Sequence, residues 1–125
     1  LKHEKIFLVF GCGGDRDQGK RKKMAEIAEK HAHLSFITDD NPRNEDSQKI
    51  ISEISCGFQH NKNFISLSPR EKAIEKAILQ AETNDLVLIA GKGHENYQIL
   101  KGKKTPFEDA KEAYKALVKR KERNL

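Results

Sequence analysis

Short apolar segments alternate along this chain with longer segments of helical periodicity. The first apolar run, KIFLVFG at residues 5–11, is continuous, and further runs follow at residues 34–38, 63–68 and 85–90. A continuous apolar run is typical of a strand covered on both faces, as in a parallel sheet. Strands that alternate with helices predict a three-layer α/β fold, Rossmann-like and doubly wound, with a mostly parallel sheet between helices on both faces.

Four segments carry apolar residues three or four positions apart, the spacing of helices that bury one face. The expected helices end near residue 33, span residues 45–58, begin after Ser68 and span residues 106–121. Ser68, Pro69 and Glu71 have the spacing of an N-cap, a first-turn proline and a capping-box glutamate. We expect residues 97–100 to form a short fifth strand, paired with residues near 104. The predicted inward-facing residues are Met24, Ile27, Ala28, His31, Ala32, then Ile50, Ile51, Ile54, Phe58, then Ala73, Ile74, Ala77, Ile78, Ala81, and last Phe107, Ala110, Tyr114, Leu117 and Val118.

Length and composition indicate one globular domain. The 125 residues, 36% hydrophobic and 34% charged, suffice for one hydrophobic core and not for two, so residues 1–125 are expected to be a single domain. No apolar run approaches the roughly 18 residues of a membrane span, and no signal peptide precedes the first strand, so we expect a cytoplasmic protein. Because the chain begins with Leu1, we expect it to be an excerpt of a longer protein. Cys12 and Cys56 lack metal-ligand spacing and are expected to be free thiols.

The net positive charge of the chain arises from its carboxy-terminal residues. The net charge is +5, and residues 101–125 contain nine Lys or Arg against four Asp or Glu, so the preceding hundred residues are balanced. A basic terminal helix is usually a solvated face. A nucleic-acid-binding module remains an alternative, although no aromatic platform or recognition motif accompanies these charges.

Residues 35–43, SFITDDNPR, run from a short apolar strand into a turn with several functional groups. Pro42 has a fixed φ and disfavours the helical region for Asn41, so the turn should be rigid. In open α/β sheets such turns commonly present ligand-binding side chains. The alternative is an ordinary loop whose polar groups cap the next helix.

The predicted topology brings three polar loops together. Loops that follow parallel strands leave the sheet at its carboxyl edge. The loops after the first, second and fourth strands should therefore share one crevice. The loop after the third strand has few functional side chains. The residues expected to converge there are Asp15, Arg16, Lys20, Asp39, Asp40, Asn41, Arg43, Lys92, His94 and Glu95.

The first loop nearly matches a P-loop, because Gly14, Gly19 and Lys20 have the spacing of that motif between a strand and a helix. Arg21 replaces the hydroxyl residue that would hold Mg²⁺. Asp15 and Asp17 place negative charge where backbone amides would bind phosphates, and at short range this repulsion is costly. A free-standing nucleotide-binding domain nevertheless stays open as an alternative. The cations at positions 20–23 are expected to be solvated, yet the helix dipole disfavours them there, which indicates an anionic neighbour such as a nucleotide or another domain.

Three motifs together resemble the carboxy-terminal domain of the Mur ligases. They are FGCGGDRDQGKR at residues 10–21, TDDNPR at residues 38–43 and AGKGHE at residues 90–95, in this order and with helix-sized spacings. The resemblance covers nearly the whole chain, and the three motifs together are far more specific than any one alone.

The resemblance implies one domain of a three-domain, ATP-dependent amide-forming ligase of peptidoglycan synthesis. In that family the central domain binds ATP and Mg²⁺ and phosphorylates a carboxylate of the UDP-N-acetylmuramoyl-dipeptide. The amine of the incoming amino acid then attacks the acyl phosphate. The carboxy-terminal domain brings the amino acid, so this domain alone is expected to be inactive and to hold neither a catalytic residue nor a metal. We expect a monomer without nucleic-acid or membrane partners.

The family pattern also implies roles for individual residues. Because Arg43 stands in the motif of diaminopimelate-adding members, it implies meso-diaminopimelate as the amino acid. Arg43 would bind its distal carboxylate, and Asn41 would share in holding the distal end. Glu95 and the Gly91 carbonyl would bind the distal ammonium, and Arg16 the carboxylate beside the reacting amine. Asp15 would face ATP. The residues given supporting roles are Asp39, Asp40, Lys92 and His94.

Overall fold

The computed structural model describes residues 4–15, 18–92, 95–100 and 103–123. The six strands are β1 (Ile6–Phe10), β2 (Leu34–Ile37), β3 (Phe64–Ser66), β4 (Leu86–Ile89), β5 (Tyr97–Leu100) and β6 (Lys103–Pro106). The four helices are α1 (Gly19–His31), α2 (Ser47–Ser55), α3 (Arg70–Gln80) and α4 (Asp109–Arg123). Strands and helices alternate as far as β4, as the apolar pattern predicts.

The central sheet has the strand order β3-β2-β1-β4, and every pair in it is parallel. Phe7 is opposite Leu34 on one side of β1 and opposite Val87 on the other. The expected fifth strand pairs antiparallel with β6 as a separate hairpin, with Ile99 opposite Lys104. The sequence prediction of a mostly parallel α/β sheet is therefore confirmed.

Helices cover both faces of this sheet. The period of two along β1 directs Phe7 and Val9 to one face and Phe10 to the other. Phe7 and Val9 belong to a core that includes Ile74 of α3 and Ala116 of α4, and Phe10 to a core that includes Ile54 of α2. The predicted inward faces of α2 and α3 are confirmed: the buried residues are Ile50, Ile51, Ile54, Phe58, Ala73, Ile74, Ala77, Ile78 and Ala81.

The predicted inward face of α1 is confirmed for Ala28 and Ala32, which are buried, but not for Ile27 and His31, which are exposed. Ile27 is 62% exposed, and the residues of α1 that are buried are Arg21, Ala25, Ala28 and Glu29. Two charged residues occupy the core-facing stripe because each has partners inside the domain. Glu29, for example, accepts hydrogen bonds from the backbone N–H groups of His60 and Lys62. Ile27 instead borders an apolar groove of about 330 Å³ with Leu8, Met24 and Leu88.

The predicted inward face of α4 is largely wrong. Tyr114 is 68% exposed, Leu117 and Val118 are exposed, and Asp109 and Ala116 are buried instead. Asp109 binds Arg70 of α3, which fixes the rotation of α4 about its axis. Small side chains at the contact between α3 and α4, such as Ala116, then allow the two helices to pack closely.

The predicted capping box before α3 does not form. The helix begins at Arg70, Pro69 occupies the cap position, and no side chain caps the helix. Ser68 is exposed and precedes the cap residue. Within the described part of the chain, no helix has the length and apolar content needed to cross a bilayer.

The two isoleucines Ile54 and Ile27 provide a matched test of this packing. Ile54 is 0% exposed, so Ile54→Ala should lower the free energy of unfolding by about 2–5 kcal/mol. Ile27→Ala should change it by less than about 0.5 kcal/mol, because exposed substitutions rarely matter more. Urea unfolding of the chain measures both. Equal losses for the two variants would contradict the assignment of the core-facing stripes.

Candidate functional site

The loops after β1, β2 and β4 meet at the carboxyl edge of the sheet. The N–H of Gly14 donates to the carbonyl of Asn41 over 2.7 Å, which joins the first two loops. Lys92 Nζ donates to Asn41 Oδ1 over 2.9 Å, which joins the second loop to the third. The predicted convergence of these loops is therefore present in the described residues.

Glycine at position 14 permits the closest of these approaches. A Cβ atom there would overlap the backbone carbonyl of Pro42. Gly11 is in a similar position, because a Cβ on it would overlap the carbonyl oxygen of Thr38. The glycines of the first loop thus allow two backbones to pack against each other, which any larger residue would prevent.

The amide of Asn41 is held in a fixed orientation. Its Oδ1 accepts hydrogen bonds from Lys92 Nζ and from the N–H of Ile99, each at 2.9 Å. Both partners are donors only, so the atom between them is the oxygen and not the nitrogen. The Nδ2 group of Asn41 therefore points away from both donors.

Lys92 is fully buried among oxygen atoms. Besides Asn41 it donates to the carbonyl of Tyr97 over 2.9 Å, and its Nζ lies 3.4 Å from Asp40 Oδ1 and 3.9 Å from Glu95 Oε1. The partly buried carboxylate of Asp40 is within ion-pair distance of this ammonium, although its Oδ1 atom makes no hydrogen bond with the described residues. Lys92 thus connects the loop after β2 to the loop after β4 from inside the domain.

Arg43 combines an unusual backbone with a half-exposed guanidinium group. Its φ is 54°, a left-handed conformation that non-glycine residues adopt mainly where the surrounding structure imposes it. The N–H of Arg43 donates to the carbonyl of Ile99 over 3.1 Å. Nη1 donates to the carbonyls of Gly14 at 2.9 Å and Asn41 at 3.2 Å. Nε and Nη2 make no hydrogen bond with the other described residues, so this side of the guanidinium can bind an acceptor.

The two aspartates before Asn41 have different environments. The Asp39 carboxyl lies inside the domain, where burial raises its pKa and hydrogen bonds from Ser47 and Ser68 oppose that rise only in part. Its Oδ1 atom is buried, so the carboxyl is directed into the domain. Asp40 turns toward Lys92, and its backbone carbonyl accepts a hydrogen bond from the buried Gln98 over 2.8 Å.

The third loop requires glycine at position 91. Its φ is +113°, which side-chain-bearing residues rarely adopt, and a Cβ there would lie 3.5 Å from Asp40 Oδ2. Glu95 follows on the same loop, and its N–H donates to the Lys92 carbonyl over 3.0 Å.

Arg21 fixes the first loop. Its guanidinium is buried, pairs with both carboxylate oxygens of Glu45, contacts Glu53 Oε1 at 2.9 Å and donates to the Gly13 carbonyl. These contacts correct the expectation of a solvated helix start, because the anionic neighbours of Arg21 belong to this chain. Glu45 Oε1 also accepts the N–H of Asp15 over 2.7 Å.

The same contacts weaken the P-loop interpretation of residues 14–20. The backbone N–H groups of Gly14 and Asp15 are already bonded to Asn41 and Glu45, so they do not point toward a phosphate. In addition, the described residues contain no group of three or more His, Cys, Asp or Glu side chains able to hold a metal ion. Cys12 is an unreactive thiol, since burial raises its pKa to about 11.

Comparison with known proteins identifies the family of this chain. Residues 1–93 match the family described as Mur ligase, glutamate ligase domain. The chain belongs to the Mur ligase family.

The similar proteins share one name. The Haemophilus ducreyi protein is 54% identical over 113 residues, and the Chromobacterium violaceum protein is 50% identical over 114. Both are named UDP-N-acetylmuramoyl-L-alanyl-D-glutamate–2,6-diaminopimelate ligase. These matches cover 90% and 91% of this chain but only 23% of each relative. A solved structure titled with the same enzyme name superposes with a TM-score of 0.90 at 38% identity, over 96% of this chain and 25% of the other.

Some of the predicted site residues lie together in the structure of this Mur ligase domain, and others lie elsewhere or outside the described residues. The structure brings together Asn41, Arg43, Gly91, Lys92 and Glu95. Asp15 lies at the edge of this group, in contact with Asn44 and Glu45. Arg16 and His94 lie outside the described residues. Lys20 is exposed on α1.

Three residues that organise the site were not predicted from the sequence of the Mur ligase domain: Glu45, Arg70 and Gln98. Arg70 is fully buried and contacts the ends of both β2 and β4. The sequence contained one indication that Arg70 has partners inside the domain. Arg70 and Arg21 both lie in the first turn of a helix, where the dipole disfavours a cation unless an anion or carbonyl is near.

The pairing of Glu45 with Arg21 predicts a pH-dependent stability. Hydrogen bonds from Arg21 lower the pKa of Glu45 from 4.5 to about 2. A carboxylate with a depressed pKa stabilises the folded state above its unfolded pKa, and this contribution is lost as the pH falls toward the folded value. The free energy of unfolding should therefore decrease between pH 4.5 and about 2, and less steeply in Glu45→Gln.

Urea unfolding at a series of pH values measures this difference. Glu26→Gln, at an exposed position of α1, is the matched control and should keep the unsubstituted pH dependence. An unchanged slope in Glu45→Gln would show that the ion pair with Arg21 does not contribute.

Proposed function

We propose that this chain is the amino-acid-binding carboxy-terminal domain of a longer, three-domain ATP-dependent ligase. The complete enzyme would add meso-diaminopimelate to UDP-N-acetylmuramoyl-L-alanyl-D-glutamate in peptidoglycan synthesis. The names of the similar proteins support the reaction. The observation on this chain that carries the proposal is the paired geometry of Arg43 and Asn41 at the crevice.

The charges of the crevice suit a ligand with two ammonium and two carboxylate groups. Arg43 offers Nε and Nη2 to a carboxylate, and a guanidinium binds such a group with two parallel hydrogen bonds. The Nδ2 of Asn41, directed by Lys92 and Ile99, is a further donor for the same group. We assign the distal carboxylate of diaminopimelate, which lysine lacks, to these two residues.

The loop after β4 supplies a carboxylate beside this group, that of Glu95. We assign the distal ammonium to Glu95 and to the carbonyl of Gly91, on the loop after β4. Arg16 would bind the carboxylate beside the reacting amine. Asp39, Asp40, Lys92 and His94 would act as supporting residues.

ATP and Mg²⁺ would bind mainly outside this chain. The first loop is a poor phosphate site, because the amides of Gly14 and Asp15 are bonded internally and the carboxylate of Glu45 lies beside them. We therefore assign both to the central part of the longer protein, with Asp15 facing the nucleotide. The activated substrate and the ATP would come from those parts, and this chain would orient the attacking amine. We further propose that the enzyme is a cytoplasmic monomer.

An amide NMR titration of the chain tests the ligand. Addition of meso-diaminopimelate should shift resonances at residues 41–43 and 91–95, and L-lysine should not, since it lacks the carboxylate assigned to Arg43. Shifts with Mg-ATP alone, confined to residues 14–20, would contradict the proposal and favour the nucleotide-binding alternative. If none of the three ligands causes shifts, the same comparison is made with the full-length protein.

Arg43→Ala in the full-length enzyme tests the role of the guanidinium. We expect the KM for diaminopimelate to rise by at least about tenfold, equivalent to about 1.4 kcal/mol, because a desolvated carboxylate would lose its partner. The KM for ATP should stay nearly constant. Alanine retains Cβ, so the left-handed backbone at this position is equally strained in both proteins.

Lys111→Ala is the control for the loss of one positive charge, because Lys111 lies on the exposed side of α4. It should leave both KM values unchanged. If the diaminopimelate KM of the Arg43→Ala enzyme is unaltered, Arg43 does not belong to the amino-acid site.

A further inference from the structure

We propose that Arg70 is a positioning residue for the amino-acid site, because its buried guanidinium fixes the loop after β2 relative to the loop after β4. The inference rests on the proposed function. It concerns a residue that lies behind the crevice and makes no contact with the ligand in this assignment.

The guanidinium of Arg70 contacts three separate parts of the chain. Nη1 donates to the Asp39 carbonyl over 2.9 Å, and Nη2 donates to the Ala90 carbonyl over 3.1 Å. Nε and Nη2 donate to the two carboxylate oxygens of Asp109 over 2.7 and 2.8 Å. Arg70 is 0% exposed, so these contacts compete with no bulk water.

The two carbonyls stand immediately before the site residues. Asp39 precedes Asp40 and Asn41, and Ala90 precedes Gly91 and Lys92. β2 and β4 are not neighbours in the sheet, because β1 lies between them. No ladder hydrogen bond therefore joins their ends directly, whereas the guanidinium of Arg70 binds a carbonyl at each end.

The spacing of those two ends decides the geometry of the site. Arg43 and Asn41 are assigned to the distal carboxylate of diaminopimelate. Gly91 and Glu95, on the other loop, are assigned to the ammonium on the same carbon atom. A change in loop separation would misplace part of the ligand even with every contacting side chain present. Displacements of about 1 Å in such positions can alter the function of a site by up to about 100-fold.

Lysine cannot replace arginine in this arrangement. The planar guanidinium donates along several fixed directions at once, whereas an ammonium concentrates its donors at one point. Arg70→Lys keeps the charge beside Asp109 but cannot reach Asp109, Asp39 and Ala90 together. Asp109 supplies the negative charge that a buried guanidinium needs and connects the start of α4 to the site.

The test uses the full-length enzyme with Arg70→Lys, Asp109→Asn and the control Lys119→Ala. Lys119 pairs with Glu75 over 3.1 Å and so joins the same two helices at the surface, away from the loops. The KM for diaminopimelate, the KM for ATP, kcat and the melting temperature are measured for each. Asp109→Asn preserves the shape of the side chain and serves as the milder variant if Arg70→Lys does not fold.

We expect Arg70→Lys to raise the diaminopimelate KM by about tenfold or more, as expected for a misplaced binding group, with the ATP KM nearly unchanged. Asp109→Asn should cause a smaller change in the same direction, and Lys119→Ala none. A role in stability alone would lower the melting temperature and the amount of active enzyme without altering the amino-acid KM. That result would overturn the inference.

A separate measurement distinguishes this inference from the proposed function. If the unsubstituted enzyme does not use diaminopimelate, the proposed function fails, and hydrogen exchange then tests the role of Arg70 alone. Faster amide exchange at residues 39–43 and 90–92 in Arg70→Lys than in Lys119→Ala would support the positioning role. Equal exchange in the two variants would overturn it.

Discussion

Two buried guanidinium groups determine how the loops of this domain are arranged. Arg21 connects the loop after β1 to Glu45 and Glu53, and Arg70 connects the ends of β2 and β4 to Asp109. Burying a charge is unfavourable unless partners surround it, and breaking such a pair is much more costly than never forming it. The loops are therefore held in one arrangement in which both arginines have all their partners, and other arrangements leave a charge unpaired.

This arrangement separates structural cations from a cation available for binding. Arg21, Arg70 and Lys92 are buried and surrounded by carboxylates and carbonyls. Arg43 differs, since it is half-exposed and only its Nη1 is bonded to described residues, in both cases to carbonyls. Carboxylates thus neutralise the buried cations, and none of those in the described residues pairs with Arg43. This difference supports the proposal that Arg43 binds an external carboxylate.

The sequence predicted the sheet and its loops because both depend on local pattern, and it failed where burial depends on distant partners. Continuous apolar runs predicted the four strands, and their alternation with helices predicted that the strands are parallel. The loops that follow parallel strands lie at the same edge of the sheet. The faces of α1 and α4 were predicted only in part, since hydrophobic periodicity treats Arg21, Glu29 and Asp109 as exposed. Their partners lie more than 20 residues away in the sequence, and no local pattern identifies them. The helix rotations follow from those pairs.

The near P-loop at residues 14–20 illustrates how one spacing can serve two physical purposes. In a phosphate-binding loop, glycines allow backbone amides to point at the ligand. Here Gly14 instead allows the backbone of Pro42 to approach closely, and its amide bonds to Asn41. Arg21, which stands where a magnesium-binding hydroxyl would be, binds Glu45 and so holds the loop against α2. The glycine spacing thus serves contact between two loops of one site, and this contact positions the carbonyl of Gly14 against which Arg43 is oriented.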